Sequence, residues 1–445
     1  MINFLWLGLL LLGIFTALLT GQWEALSAAA LESSRRAIME IALPLSGIMA
    51  LWLGLMRLAE RSGLLEKLAW LLRPLLKLLF PEIPLHHPAM GSMLMNIAAN
   101  MLGLANAATP LGLRAMKDLQ SLNPHPQVAT NAMCTFLAMN TSSLQLIPTT
   151  AIAILAAAGA LHPQAIIGTT LVATTCSFTV AILTAKLLER LPCFKLPLEA
   201  SLPSSFPAPS SSITEESDAS LREERATSWR EHSFSGVGKL LLFLFFACFL
   251  YAFVKLFHQA SAGSSSFFLG AINTFSILAI PFLLGFFPLY AFLSGVPVYE
   301  QFVEGAKEGF EVALRIFPYL VAILVAIGTF RAAGGIDFLS QLLAPLLDKI
   351  GLPAQLLPLV LLRPLSGSAA TGLFAEIVKA AGPNSYVSQL AGTILGSTET
   401  TFYVLAIYFG SVAMKKSRHA LATGLIADAA GVAASIMICH FFWKS

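Results

Sequence analysis

Apolar residues run along this chain in blocks about as long as a bilayer is thick, and the breaks in those blocks carry the most information. A helix needs roughly 20 predominantly apolar residues to cross the hydrocarbon core. On that measure full spans are predicted at residues 41–58, 165–188, 240–257, 267–293, 317–330 and 420–442, with 4–19 as a first membrane helix. Ala28-Ala29-Ala30 follows this first block as a cleavage site would, but no Lys or Arg precedes it, so it reads as a span and not a signal peptide. Residues 64–79 set Lys67, Arg73 and Lys77 among leucines, which suits a helix lying in the interface with its cations at the headgroups; 338–350 is a weaker counterpart.

Four other apolar stretches do not read as simple spans. Residues 89–119 and 354–378 are each broken near the middle by small, polar and helix-breaking residues, which predicts two short legs returning to the same side. Such re-entrant backbone is tolerated at membrane depth only when protein buries it or a wet cavity lines it. Residues 129–159 and 386–414 exceed one span and carry central polar interruptions, Asn140-Thr141-Ser142-Ser143-Leu144-Gln145 and Ser397-Thr398-Glu399-Thr400-Thr401. Both are predicted to be discontinuous helices.

These features recur in the same order in the two halves. Leu43-Pro44, Gly54 and Arg57 match Phe317-Pro318, Gly328 and Arg331; Leu72-Arg73-Pro74 and Pro81 match Leu343-Ala344-Pro345 and Pro353. Asn106-Ala107-Ala108-Thr109-Pro110 falls against Ser368-Ala369-Ala370-Thr371-Gly372, and 165–186 resembles 420–441. An order kept through this many landmarks points to duplication. The loop Lys415-Lys416-Ser417-Arg418-His419 is basic and is placed in the cytoplasm, whereas its counterpart Gly159-Ala160-Leu161-His162-Pro163 has no Lys or Arg and is placed outside.

The expected fold class is therefore an all-α polytopic membrane protein of two inverted-topology repeats, each with a re-entrant hairpin and a discontinuous helix. About seven to nine complete spans are expected, with the amino terminus inside and the carboxyl terminus outside a bacterial inner membrane. The chain divides into an amino-terminal membrane helix (1–22), repeat 1 (23–189), a cytoplasmic linker (190–236), a connecting helix pair (237–295) and repeat 2 (296–445). The linker is rich in Pro, Ser and mixed charge, with too little to bury to fold by itself.

Composition agrees with this pattern and removes alternatives. Hydrophobic residues make up 56% of the 445 positions and charged ones 11%, with a mean hydropathy of +0.76, which excludes a soluble globular chain. A net charge of +3, scattered around apolar blocks, gives no basic stripe for nucleic acid. Cys134, Cys176, Cys193, Cys248 and Cys439 show no C-x-x-C spacing and read as packing residues. His86, His87, His125 and His162 read as loop or interface residues without carboxylates or thiolates to complete a metal site. No P-loop, Rossmann fingerprint, G-x-S-x-G or H-E-x-x-H is present, so neither an enzyme nor a cofactor is expected.

The candidate chemistry lies at the breaks. The first half offers Asn96, Asn100, Asn106, Thr109, Asn140, Thr141, Ser142, Ser143, Gln145 and Thr149, amides and hydroxyls that suit a neutral polar solute, a carboxylate or a partly dehydrated cation. Each can instead hydrogen-bond one helix to another. The second half offers Ser366, Ser368, Thr371, Ser397, Thr398 and Thr400, and adds the ionisable Arg363, Glu399 and Asp428. Charges at this depth need partners, so Arg363 and Glu399 either neutralise one another or divide the work: Arg363 on an anionic group, Glu399 on a driving proton or cation. Asp428, opposite Ala173 in the first repeat, is a packing-level polar contact or a second ion ligand. Helix amino termini at 366–371 and 107–110 would add positive dipole ends.

The segment from His87 to Met116, with Asn96, Asn100, Asn106 and Thr109-Pro110 inside it, resembles spore maturation protein A, as does Asn140-Thr141-Ser142-Ser143. Arg363-Pro364-Leu365-Ser366-Gly367-Ser368-Ala369-Ala370 and Gly396-Ser397-Thr398-Glu399-Thr400-Thr401-Phe402-Tyr403-Val404 resemble spore maturation protein B. The chain thus looks like a fusion of the two, within the nucleoside-recognition, or Gate, family. That resemblance implies kinship with concentrative nucleoside transporters and leaves the solute open between nucleosides and small aromatic carboxylates. The expected function is secondary transport of a small polar or anionic organic solute by alternating access, coupled to Na+ or H+. The alternative is a non-transporting membrane scaffold or regulator in envelope or spore maturation. Expected partners are the solute and membrane lipid, with a homo-oligomer left open and no nucleic acid.

Overall fold

The computed structural model describes residues 2–84, 87–103, 105–194, 236–263, 267–333 and 350–443, and among them the chain is almost entirely helical. Among the described residues six helical stretches are long and apolar enough to cross a membrane: Trp23–Arg61, Pro163–Leu188, Gly236–His258, Gly270–Leu293, Tyr386–Gly410 and Ala420–Trp443. With α1 (Ile2–Thr20) in front of them, this is a multi-pass helical protein. Residues 338–349 of the expected 338–350 helix and the 195–235 part of the linker fall outside the described residues, as do the Asn106 side chain and His86.

The first half begins with α2 (Trp23–Arg36), which runs through a π-turn (Ala37–Ala42) into α3 (Leu43–Arg61). Pro44 explains the loosened turn: it has no N–H to give, and its ring presses on the carbonyl of the preceding turn. The leucine-rich α4 (Leu64–Leu79) buries Leu65, Ala69 and Leu76 and exposes Trp70, Leu71 and Leu78. Its Lys67 lies 5.0 Å from the ring centroid of Tyr290.

Next come α5 (Pro88–Met101) and α6 (Ala105–Gln120), a tightly packed pair that reverses direction at Gly103, whose φ of +75° suits glycine. His87 caps α5, its Nδ1 accepting from Ala89 N at 3.2 Å. The helix expected to start at 107–110 begins slightly earlier and carries Pro110 inside it. The 129–159 stretch is discontinuous as expected, with α7 (Asn131–Thr141) and α8 (Thr149–Ala157) separated by a non-helical segment, and α9 (Ile166–Leu188) follows.

Beyond the linker, α10 (Gly236–Gly263) and α11 (Phe267–Leu293) pack through Phe245, Phe249, Phe282 and Phe286. The expected 317–330 span lies inside a longer helix, α12 (Val298–Ala332). The described residues of the second half continue with a short α13 (Leu357–Leu362) and α14 (Gly367–Ala381), the broken pair α15 (Tyr386–Ser397) and α16 (Thr401–Gly410), and a long α17 (Ala420–Trp443).

Elements of the two halves pack on one another: α3 on α12, and α9 on α17. The first of these contacts is set by glycines, since a Cβ at Gly305 would lie 2.5 Å from Leu53 O and one at Gly309 2.6 Å from Met49 O. Small residues that let backbones approach are the usual means of helix association in lipid.

Candidate functional site

Both breaks are built by residues that compete with their own helix. Thr141 and Ser142 turn their hydroxyls back onto the Ala138 carbonyl at 3.0 and 2.8 Å, and Pro148 stands at the N-cap of α8. In the second half Ser397 bonds back to Ile394 O at 2.9 Å, and Thr398 takes an extended conformation. Each break then binds the turn of the helix pair in its own half: Leu146 N donates to Met101 O at 3.0 Å, and Phe402 N to Pro364 O at 3.0 Å.

The two breaks also meet each other. Glu399 N donates to Thr141 O at 2.8 Å, and Gln145 Nε2 donates to Glu399 Oε1 at 2.8 Å. Arg363 places Nη2 at 3.5 Å from Glu399 Oε2 and donates from the same nitrogen to Thr398 O. Arg363 is buried, whereas the Glu399 side chain keeps 34% of its surface accessible. A Cβ at Gly367 would lie 2.8 Å from Thr400 Oγ1 and 3.6 Å from Arg363 Nη1, so glycine is needed for the start of α14 to reach this junction. Ser366 caps that start, its Oγ accepting from Ala369 N at 3.3 Å.

A second cluster joins the first helix pair to both breaks. Asn100 Nδ2 donates to Asn140 Oδ1 at 2.9 Å, and Tyr408 OH donates to the same oxygen at 3.2 Å. Asn96 Nδ2 donates to Ala108 O at 2.8 Å and to Tyr408 OH at 3.3 Å. The Tyr408 ring stacks on Phe136, with centroids 6.1 Å apart. Asp428 forms a third site on α17, accepting from Thr401 Oγ1 at 2.7 Å.

Of the residues singled out from sequence, Arg363, Gln145, Glu399, Thr141 and Thr398 share one junction, and Asn100 and Asn140 share the neighbouring cluster. Ser143 is buried, and its carbonyl accepts from Thr174 Oγ1 at 2.9 Å. Thr371 bonds to its own helix at Gly367 O. Ser368 is half-buried in the first turn of α14, Thr400 is buried beneath Gly367, and Thr109 is half-buried on α6. Sequence reasoning missed Tyr408, Thr174 and Ser177, the last of which bonds Ala427 O of α17 at 2.9 Å. Tyr408 shares α16 with Thr401 and Tyr403, so no single sequence signal set it apart.

Loops at two places show how the broken helices run. The segment before α7 bonds the segment after α16, with Lys416 N donating to Gln127 O and Ala129 N to Lys416 O, both at 3.0 Å. The segment after α8 meets the segment before α15, where Leu161 N donates to Asn384 Oδ1 at 2.9 Å. The two broken helices therefore run antiparallel to one another. In the basic loop, Lys415 and Lys416 are exposed while Arg418 turns inward to Ala129 O, Asn131 Oδ1 and Phe194 O. His419 beside it is fully buried, and burial with the neighbouring cations Arg418 and Lys186 pulls its pKa down to about 4.

Among the described residues no group of three or more His, Cys, Asp or Glu is placed to hold a metal ion. A cavity of about 250 Å³ between the halves is lined by Leu45, Ile154, Ala158, Ala375 and Lys379, and not by Arg363 or Glu399.

The sequence matches the family model described as Gate, nucleoside recognition, over residues 42–188 and 313–415, together more than half of the chain. It is similar to spore maturation protein B of Bacillus subtilis, 49% identical over 39% of this chain and 98% of that protein. It is also similar to spore maturation protein A of the same organism, 42% identical over 41% of this chain and 93% of that protein. Nearly all of each relative is thus covered by a chain large enough to contain both, as the expected fusion requires.

Proposed function

Because the chain belongs to the Gate, or nucleoside-recognition, family, we propose that it is a secondary transporter of a small polar or anionic organic solute, working by alternating access. The observation that carries this reading is the junction where Gln145 of one break and Arg363 beside the other converge on the partly accessible Glu399. Unwound backbone that meets at a charged junction is how transporters place a solute at the membrane midplane. Arg363 offers a planar donor fork to an anionic group, and Gln145 and the Asn100–Asn140 pair offer neutral hydrogen bonding. Glu399 or Asp428 receives the driving proton or cation. Nucleosides and aromatic carboxylates are the solute candidates.

The antiparallel run of the broken helices and the packing of α3 on α12 and α9 on α17 support two inverted repeats. In that arrangement α5–α6 and α13–α14 are re-entrant hairpins that act as gates. The exposed Lys415 and Lys416 support a cytoplasmic position for that loop, in a bacterial inner membrane with the amino terminus inside. Reconstituted in proteoliposomes, Glu399→Gln and Arg363→Ala are each expected to abolish solute-dependent proton or cation flux while the protein still inserts and folds. Normal flux in both variants would remove these residues from the site.

A second reading is a non-transporting membrane scaffold or regulator in envelope or spore maturation. It is favoured by the Arg363–Glu399 ion pair, which already neutralises the two charges without a solute. Absence of any metabolite-dependent thermal shift in the solubilised protein would favour it over transport.

A further inference from the structure

Glu399 is the obvious acid at the junction, yet both its oxygens are engaged: Oε1 by Gln145 and Oε2 by Arg363. Asp428 is not satisfied in this way. It is 94% buried, Oδ2 accepts from Thr401 Oγ1 at 2.7 Å, and Oδ1 has no hydrogen-bond partner. The charged groups that act on it are Arg363 and Glu399, and those two neutralise each other. A buried carboxylate is thus left over, one negative charge in a low-dielectric interior. Such a charge is costly unless something positive joins it.

The surroundings of Asp428 are rich in oxygen. Gly424, Asp428 and Gly431 lie at successive turns on one face of α17, against the second break. A Cβ at Gly424 would lie 3.2 Å from Thr401 Oγ1 and 3.5 Å from Thr141 Oγ1; one at Gly431 would touch Thr398 Cγ2 at 2.6 Å. Thr398 is itself 2% exposed, and its hydroxyl has no partner. The unpartnered Asp428 Oδ1 thus lies on a helical face that the Thr401 and Thr141 hydroxyls approach, beside the segment that carries the unpartnered Thr398 hydroxyl. A single carboxylate among neutral hydroxyls suits one monovalent charge, not a divalent ion, which draws several carboxylates.

We propose that Asp428 holds one exchangeable monovalent cation, Na+ or H+, at a site distinct from the Arg363–Glu399 junction. This deepens the transport reading and rests on it for any role in coupling, although the binding itself does not require transport. The segment between the sites links them. Thr398 gives its carbonyl to Arg363 and rests its side chain on α17, and Thr401 gives its hydroxyl to Asp428. Filling the cation site therefore bears on the backbone that positions Arg363.

The test is thermal unfolding of the solubilised full chain in choline buffer, with Na+ added at fixed pH in one arm and pH varied without Na+ in the other. In the Na+ arm the wild-type midpoint is expected to rise by about 2 °C or more at saturation. In the proton arm it is expected to fall as pH rises, and one of the two responses identifies the cation. Asp428→Asn should abolish that response, while the double variant Arg363→Met with Glu399→Gln, which removes the ion pair without changing net charge, keeps it. Thr401→Val, which leaves the carboxylate in place, should weaken half-saturation by Na+ about tenfold, a loss of roughly 1.4 kcal/mol, or, where the proton is the cation, move the response to higher pH because the carboxylate loses a donor, and serves if Asp428→Asn fails to fold. Neither response in wild type, or an unchanged response in Asp428→Asn, overturns the proposal. Solute flux measured in parallel separates this failure from that of the transport reading, since the Arg363→Met with Glu399→Gln double variant is expected to lose flux and keep the cation response.

Discussion

Tyr408 shows how much one hydroxyl can organise at the residue scale. It lies on α16 in the second half, yet its hydrogen-bond partners are Asn96 and Asn140 in the first, and Gly112 of α6 gives it room. Tyr408→Phe removes both bonds and keeps the ring against Phe136, so the loss is confined to the polar link. We expect a cost of about 1–2 kcal/mol, since the carboxamides stay buried and keep some partners. Gly112→Ala should cost more, because a Cβ there would lie 2.1 Å from the hydroxyl oxygen and 2.4 Å from Cζ, and the second overlap does not depend on the hydroxyl. Thermal unfolding of both variants tests the order, and a milder Gly112→Ala would mean that α6 moves away without difficulty.

At the scale of elements, α17 presents a small-residue face to the second break. Gly431→Ala would push a methyl to 2.6 Å from Thr398 Cγ2 and 3.3 Å from Ser397 Oγ, forcing α15 and α17 apart. Overpacking of this kind typically costs about 1–3 kcal/mol. It should appear as a lower unfolding midpoint, whereas Gly410→Ala, whose Cβ would meet nothing within 4 Å, should leave it unchanged. The breaks themselves were legible in the sequence because polar residues and prolines inside apolar blocks have few structural readings. Pairing Arg363 with Glu399 was legible for the same reason, as a buried charge needs a partner. The link from Gln145 to Glu399 was not, because it depends on how the halves dock, and nothing in local periodicity encodes that. Gly396 was equally silent: only the folded chain shows that a Cβ there would strike Pro148 at 2.7 Å and Thr170 at 2.8 Å, where the two breaks cross.

For the whole molecule the decisive question is whether the antiparallel broken helices stand inverted across a bilayer. Hydrogen bonds bring the segments near 127 and 416 together at one end and those near 161 and 384 together at the other. If the broken helices cross the membrane, these ends face opposite compartments, and the exposed Lys415 and Lys416 assign the first to the cytoplasm. Single cysteines at exposed His162 and Lys415 report this directly, in a background where Cys193 and the exposed Cys248 are serine. A membrane-impermeant maleimide added to right-side-out vesicles should label His162→Cys and spare Lys415→Cys, and inside-out vesicles should reverse the pattern. Labelling of both positions from one side would mean that the broken helices do not cross. The junction of Gln145, Arg363 and Glu399 would then lie near one surface, open to a single compartment, and a solute held there could not be passed to the other.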